Sequence, residues 1–315
     1  MKSSISLKGA RSQFFNGFNG FNGFNGNLKN PEPNTVYVNI VGGLGNQLFQ
    51  IASAYAYSRI TNGKLAIPHI KNNGNRPVYW DTLLRKVYKY LVTNLNTSQM
   101  EIFRENSLMY KDIGLLSPQG KNMIGYFQSS KYFYNDDIKE EIKELFRPEQ
   151  EFIDQVVTKY GNILYDEDIK DIKDIKDIKD RVIVIHCRRT DYLTSGNYHN
   201  VLDSNYYKKS IYIMLERVQN PIFLLCGDDN KFWEHIKNDI PEVFQNEHLI
   251  LEENDILTFT LLQQFNNFII SNSSFIWWCV WLSKDTKNVI APSIWYGSSG
   301  PKEYSDIYES SWILI

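Results

Sequence analysis

The sequence predicts an α/β protein of two Rossmann-like domains facing across a cleft, and three observations carry that expectation. Short apolar runs at 182–185, 222–225, 248–251, 268–270 and 288–291 alternate with helical stretches at about 203–218, 230–238, 255–266 and 274–283. Such alternation belongs to a parallel sheet covered by helices on both faces. Nearer the N-terminus, a strand over Thr35–Val41 ends in glycines, enters a helix from Asn46 to about Ile60 and is followed by a strand over Lys64–Ile67, the opening of a second such half. Finally, the apolar run RVIVI leads directly into IHCRRTDYL at 185–193, so a buried strand delivers His186, Arg188, Arg189 and Asp191 to the carboxyl edge of its sheet. Open α/β folds bind ligands at that edge.

Taken in order, residues 1–34 form a low-complexity tail, expected to be disordered, in which Phe-Asn-Gly repeats four times at 15–26. An N-terminal α/β domain follows at 35–165. Gly63 stops its first helix, NMIGYF at 122–127 reads as a strand, and the amphipathic DDIKEEIKELF is closed by Pro148. Residues 166–180 read as a linker, with Ile-Lys-Asp repeated four times at 169–180. A three-residue period advances about 300° on a helix, so the isoleucines spiral and no fixed apolar face results. The C-terminal domain occupies 181–300, and a tail at 301–315 packs back.

The chain has 315 residues, 43% hydrophobic and 22% charged, enough for two cores. With 34 basic against 36 acidic side chains it offers no electrostatic footprint for nucleic acid, so any anion is held locally. Cys187, Cys226 and Cys279 lie far apart in apolar runs and read as reduced core thiols. The longest apolar candidate, 268–282, is interrupted by SNSS and falls short of the roughly 18 residues that span a bilayer. The first residues lack a continuous signal-peptide core. The expectation is a cytoplasmic protein without a transmembrane anchor, with peripheral membrane association left open.

Four motifs carry chemistry. In VGGLGNQLFQ at 41–50, backbone amides at a glycine turn can approach a ligand, and the helix start favours negative charge there, which makes Gly43, Gly45, Asn46 and Gln47 candidate contacts. One of the two amide side chains can instead serve as the helix cap. A nicotinamide fingerprint is disfavoured, because the sixth position from Gly43 is Leu48 and the next strand runs into Pro68 and His69 without an acid. The guanidiniums of Arg188 and Arg189 point to an anion, foremost a phosphate. In FIISNSSFIWW, Asn272, Ser273 and Ser274 open a helix that either binds an anion or is merely capped by them, while Trp277, Trp278 and Trp281 read as core. In FLLCGDD, Asp228 and Asp229 either accept hydrogen bonds from a ribose or guanine or form an ordinary polar turn. No H-E-x-x-H or Cys/His cluster suggests a metal, and the D-x-D of Asp166–Asp168 follows no strand.

GGLGNQLFQ, IGYFQSSKYF, HCRRTDYL, LLCGDD, NSSFIWW and IAPSIWYG together resemble glycosyltransferase family 11, the α-1,2-fucosyltransferases, over most of residues 36–297. The resemblance implies a GT-B-like architecture, GDP-fucose as donor, inversion at the sugar carbon, no metal cofactor and a galactose-containing oligosaccharide as acceptor. It implies that Arg188, with or without Arg189, contacts the donor pyrophosphate while His186 and Asp191 shape the same wall. Asp191 is also a candidate general base. The chain departs from the family pattern at Thr190, where a glycine is usual, at Ile276, where a serine is usual, and at Thr258, where an aspartate is usual. RRTD brings in an α-1,6-like linkage as an alternative, and a catalytically silent sugar-nucleotide or glycan-binding protein is another.

Overall fold

In the second half, the apolar runs form strands because a parallel strand buried on both faces needs no polar alternation. The computed structural model describes residues 29–71, 73–164 and 178–315. The expected tail at 1–34 and linker at 166–180 fall largely outside these residues. The chain divides into two units, one comprising residues up to Val78, Lys86–Ile142 and Ser305–Ile307, the other Tyr79–Arg85, Lys143–Tyr304 and Tyr308–Ile315.

The first unit contains the strands β1 (Thr35–Val38), β2 (Lys64–Pro68), β3 (Leu91–Val92), β4 (Glu101–Arg104) and β5 (Lys121–Ile124), in the order β3-β2-β1-β5-β4. All neighbouring pairs are parallel. Helix α1 (Leu44–Ile60) crosses from β1 to β2 and is buried along most of its length. It begins two residues before the expected Asn46, because Gly43 in extended conformation is its N-cap. Helix α2 covers Asp136–Leu145.

The second unit contains β6 (Val182–Cys187), β7 (Ile222–Gly227), β8 (His248–Ile250), β9 (Asn267–Ile269), β10 (Asn288–Ala291) and β11 (Ile313–Leu314). They form one parallel sheet in the order β11-β10-β9-β6-β7-β8. Its helices are α3 (Gln150–Leu164), α4 (Ser204–Leu215), α5 (Asn230–Ile236), α6 (Pro241–Gln245), α7 (Asp255–Leu262) and α8 (Ser274–Leu282). Ile183, Ile185, Phe223 and Leu225 from the sheet pack with Tyr207, Ile211, Met214 and Trp233 from α4 and α5. Helix α3, counted from sequence in the N-terminal domain, belongs to this second unit. It buries Val156, Tyr160, Ile163 and Leu164 and lies against α7, where Lys159 and Tyr160 both bond Glu253.

The three cysteines are buried free thiols. Trp277 and Trp278 are core as expected, while Trp281 is half-buried. No helix among the described residues is long and apolar enough to cross a membrane.

Candidate functional site

β6 and β7 run side by side to their last residues, with Cys187 opposite Gly227. A side chain at Gly227 has no room: its φ is +142°, and an added Cβ would lie 2.2 Å from the Cys187 carbonyl oxygen. This glycine therefore lets the residues after β7 close onto those after β6. Asp228 accepts from the Arg189 backbone N–H at 2.7 Å and from the Thr190 hydroxyl at 2.6 Å, and pairs with Arg188 Nη1 at 3.2 Å. Arg188 Nη2 donates to Asp191 at 2.8 Å. The Arg188 guanidinium is thus gripped by two carboxylates, yet keeps more N–H donors than they occupy and a quarter of its side-chain surface exposed. Burial works against its charge, but Asp191 and Asp228 outweigh burial and raise its pKa above the usual value.

Arg189 is turned into the protein. Nη1 donates to the Leu202 carbonyl at 2.8 Å, and the guanidinium lies 3.9 Å from the Phe232 ring centre. Nε is 3.5 Å from Asp229, close enough for charge attraction but without hydrogen-bond geometry. Asp228 and Asp229 therefore face the arginines.

His186 is the penultimate residue of β6, buried, with Nδ1 2.8 Å from the Ser271 hydroxyl and its ring stacked with Phe275. Burial pushes its pKa down to about 3, so it is a neutral brace between β6 and the turn after β9. That turn is also held by Asn272, whose amide donates to the Asn200 and Trp295 carbonyls at 2.9 and 2.6 Å. Ser273 is the N-cap of α8 and accepts from Phe275 N–H, and Ser274 is the helix's first residue. In this turn Ser273 takes the capping role, while Asn272 ties two loops together. Ile276 is fully buried, so the departure from the family's serine falls in the core.

In the first unit, the glycine turn is braced by amide side chains. Gln47 Nε2 donates to the Gly42 and Pro77 carbonyls at 3.0 and 2.9 Å, and Asn73 donates to Gly42 at 2.6 Å. Gln50 accepts from Val41 N–H and donates to Gly125. Asn46 accepts from Gln128 at 2.7 Å. Neither Asn46 nor Gln47 caps the helix: the N-cap is Gly43, which makes no side-chain bond. Gly45 is buried within the first turn, whereas a side chain at Gly43 would meet nothing within 4 Å.

Sequence reasoning did not single out three residues that organise these turns. Tyr192 donates to the Asn272 carbonyl at 2.8 Å and lies under Arg188. His199 stacks flat on Tyr192, rings 3.9 Å apart and 5° from parallel, and burial pushes its pKa down to about 4. Glu105, buried, accepts the backbone N–H groups of Tyr126 and Phe127 beside the Gln128 that reaches Asn46. Tyr192 follows Asp191 directly and was within reach of a motif reading, whereas nothing local marks the other two. Among the described residues no group of three or more His, Cys, Asp or Glu side chains is placed to hold a metal ion, and Asp166–Asp168 lie outside them.

Comparison with known proteins places this arrangement. An Escherichia coli alpha-1,2-colitosyltransferase is 25% identical over 288 residues, 83% of this chain and 92% of the relative. A putative galactoside 2-alpha-L-fucosyltransferase, svh-11 of Caenorhabditis elegans, is 24% identical over 294 residues, 85% of this chain and 75% of the relative. Among solved structures, a variant of Arabidopsis thaliana FUT1 in complex with GDP superposes with a TM-score of 0.50 at 13% identity, covering 89% of this chain and 72% of that one. NodZ alpha-1,6-fucosyltransferase co-crystallized with GDP gives 0.50 at 10% identity, covering 82% and 94%. These likenesses identify the two parallel α/β units as a GT-B-like architecture. The family described as Glycosyl transferase family 11 matches residues 25–315, and the chain belongs to it.

Proposed function

We propose that this glycosyltransferase transfers L-fucose from GDP-fucose to the 2-hydroxyl of a β-galactoside on a glycan, with inversion and without a metal cofactor. The observation that carries the reading is Arg188, fixed between Asp191 and Asp228 at the carboxyl edge of β6 with N–H donors to spare. Breaking the bond between fucose and GDP builds negative charge on the diphosphate while the sugar becomes cationic. A guanidinium already held in place stabilises that charge without reorganising during the reaction. The first-turn amides of α8 lie at the same sheet edge and favour the same charge.

The 2-linkage is supported by two relatives whose names carry it, the alpha-1,2-colitosyltransferase and the putative galactoside 2-alpha-L-fucosyltransferase. Thr190, the residue that suggested an α-1,6-like linkage, directs its hydroxyl to Asp228, a bond that glycine could not make. The departure thus has a local structural use. Asp191, 40% exposed, is the carboxylate at this edge best placed to take the acceptor proton, while His186 is held neutral and buried.

The test is incubation with GDP-fucose and a panel of β-galactosides, following GDP release and assigning the product linkage by NMR. An α-1,2-linked fucoside is the expected product. Saturable GDP-fucose binding with no GDP release on any acceptor would instead identify a silent binding protein, and a product linked elsewhere would overturn the linkage.

A further inference from the structure

One imidazole in the chain that follows β6 is held in place by everything except its nitrogens. The backbone of His199 bridges antiparallel to Tyr296, and its N–H meets the Ser195 hydroxyl at 3.4 Å. The residues before it are sutured to the loop after β10, where Gly297 N–H donates to the Tyr198 carbonyl at 2.9 Å and Ser299 N–H to the Asn197 carbonyl at 3.1 Å. The two loops lie so close that a Cβ at Gly297 would stand 2.1 Å from the Asn197 carbonyl oxygen. On the other side, the Asn200 carbonyl accepts from Asn272. The ring is clamped as well. Tyr192 lies flat against it at 3.9 Å, Tyr296 stacks on it at 5.8 Å, and Tyr198 meets it edge-on at 4.9 Å. Yet neither ring nitrogen has a hydrogen-bond partner among the described residues, and of the two only Nδ1 is closed off from solvent. Buried polar atoms are nearly always paired, so an imidazole fixed this firmly with both nitrogens unpaired points to a partner that is not part of the chain. A ring needed only to fill space against Tyr192 would be better supplied by phenylalanine.

Its position and charge state fix the kind of partner. Tyr192, on which His199 stacks, also lies 5.8 Å under the Arg188 guanidinium. Burial, more than the opposed fields of Asp191 and Arg188, lowers the His199 pKa to about 4, so the ring is neutral near pH 7. A neutral imidazole carries one N–H and one lone pair. That gives it no charge to offer a phosphate, but it matches a hydroxyl, itself donor and acceptor, in either tautomer. We propose that His199, through Nε2, binds a sugar hydroxyl beside the diphosphate held by Arg188. This rests on the reading that Arg188 holds the diphosphate of a nucleotide sugar. Two sugars meet beside that diphosphate, the one that leaves it and the acceptor that attacks, and both present hydroxyls.

The experiment uses the full chain and His199→Phe, which keeps a ring against Tyr192 and removes both nitrogens. His199→Leu serves as a second variant without hydrogen-bonding atoms, and thermal unfolding reports that each is folded. Calorimetric titration gives the affinities for GDP and for GDP-fucose, and rates of GDP release give KM for the β-galactoside that the unsubstituted protein turns over. GDP affinity is expected to be unchanged, while one sugar-dependent quantity worsens about tenfold, the loss of one well-formed hydrogen bond. That quantity is the affinity for GDP-fucose if the hydroxyl is the donor's, and KM for the galactoside if it is the acceptor's. A folded variant with all three values unchanged overturns the proposal, because the ring then only fills space. An equal loss for GDP and GDP-fucose overturns it too, since the ring then acts on the wall around Arg188 and not on a sugar. If the unsubstituted protein binds neither nucleotide, the donor reading fails and the proposal with it, whereas normal binding and turnover matched by the variants sink the role of His199 alone.

Discussion

Arg188 directly follows β6 and is held by Asp191 and Asp228, and under the proposed function its charge faces the departing diphosphate. Arg188→Ala is expected to slow transfer about a hundredfold, on the order of 3 kcal/mol of barrier, with the thermal transition retained. Near-normal turnover in that variant would remove the central residue of the mechanism. Asp191→Asn is expected to lower turnover and flatten the acid limb of the pH–rate profile. An unchanged profile would place the base elsewhere. His186 contributes to stability rather than to charge. Its pKa is about 6.5 when exposed in the unfolded chain and about 3 in the fold, because burial disfavours the imidazolium. Between those values the unfolded state binds the extra proton, so the contribution is complete above pH 6.5 and is lost as pH falls toward 3. The slope is roughly 1.4 kcal/mol per pH unit. His186→Gln should show a shallower loss of melting temperature between pH 6.5 and 4 than the unsubstituted protein, and an equal slope would deny His186 this role.

At the scale of elements, two turns depend on particular residues. The end of β7 needs Gly227, since any Cβ there strikes the Cys187 carbonyl. Gly227→Ala is expected to cost on the order of 3 kcal/mol and to weaken GDP binding by moving Asp228 away from Arg188. Retained stability, measured by denaturant titration, would show that the β6–β7 edge can open without loss. After β5, the chain turns through Phe127 at φ +55°, a conformation unusual for a bulky residue, and Glu105 holds it by accepting two adjacent backbone N–H groups. Burial pushes the Glu105 pKa up to about 7 in spite of those bonds. The neutral form is therefore favoured in the fold, and this residue's contribution, present below the unfolded carboxylate's pKa, declines as pH rises through 7, opposite in sign to that of His186.

For the whole molecule, balanced charge gives no general field for an anion, so the proposed affinity for an anionic donor has to arise locally. GDP at a hundred times its dissociation constant should stabilise the protein by about 2.7 kcal/mol, seen as a raised thermal transition. The same excess of NAD should leave the transition in place.

Much of this architecture is written in local order. A fully buried parallel strand is a continuous apolar run, so β6, β7, β9 and β10 are visible within a residue or two of their bounds, and HCRRTDY places its charged residues directly after one of them. The edge strand β4 is not visible, because only Phe103 of its four residues is buried, and β3 and β11 are two residues long, too short for any period. Which charges meet is likewise absent from the sequence. Asp228 lies 39 residues from the backbone N–H it accepts from, Gln128 lies 82 from the Asn46 it bonds, and Ser271 lies 85 from His186. By itself the sequence determined the α/β class, five of the six strands of the second sheet and the presence of arginines at its rim, because burial leaves a pattern among neighbours along the chain. Only the tertiary structure decided that Arg189 faces inward, that Arg188 is gripped by two carboxylates and that the amides of Asn46, Gln47 and Asn272 are engaged within the protein, because a hydrogen bond's partner is chosen by proximity in space and side-chain direction.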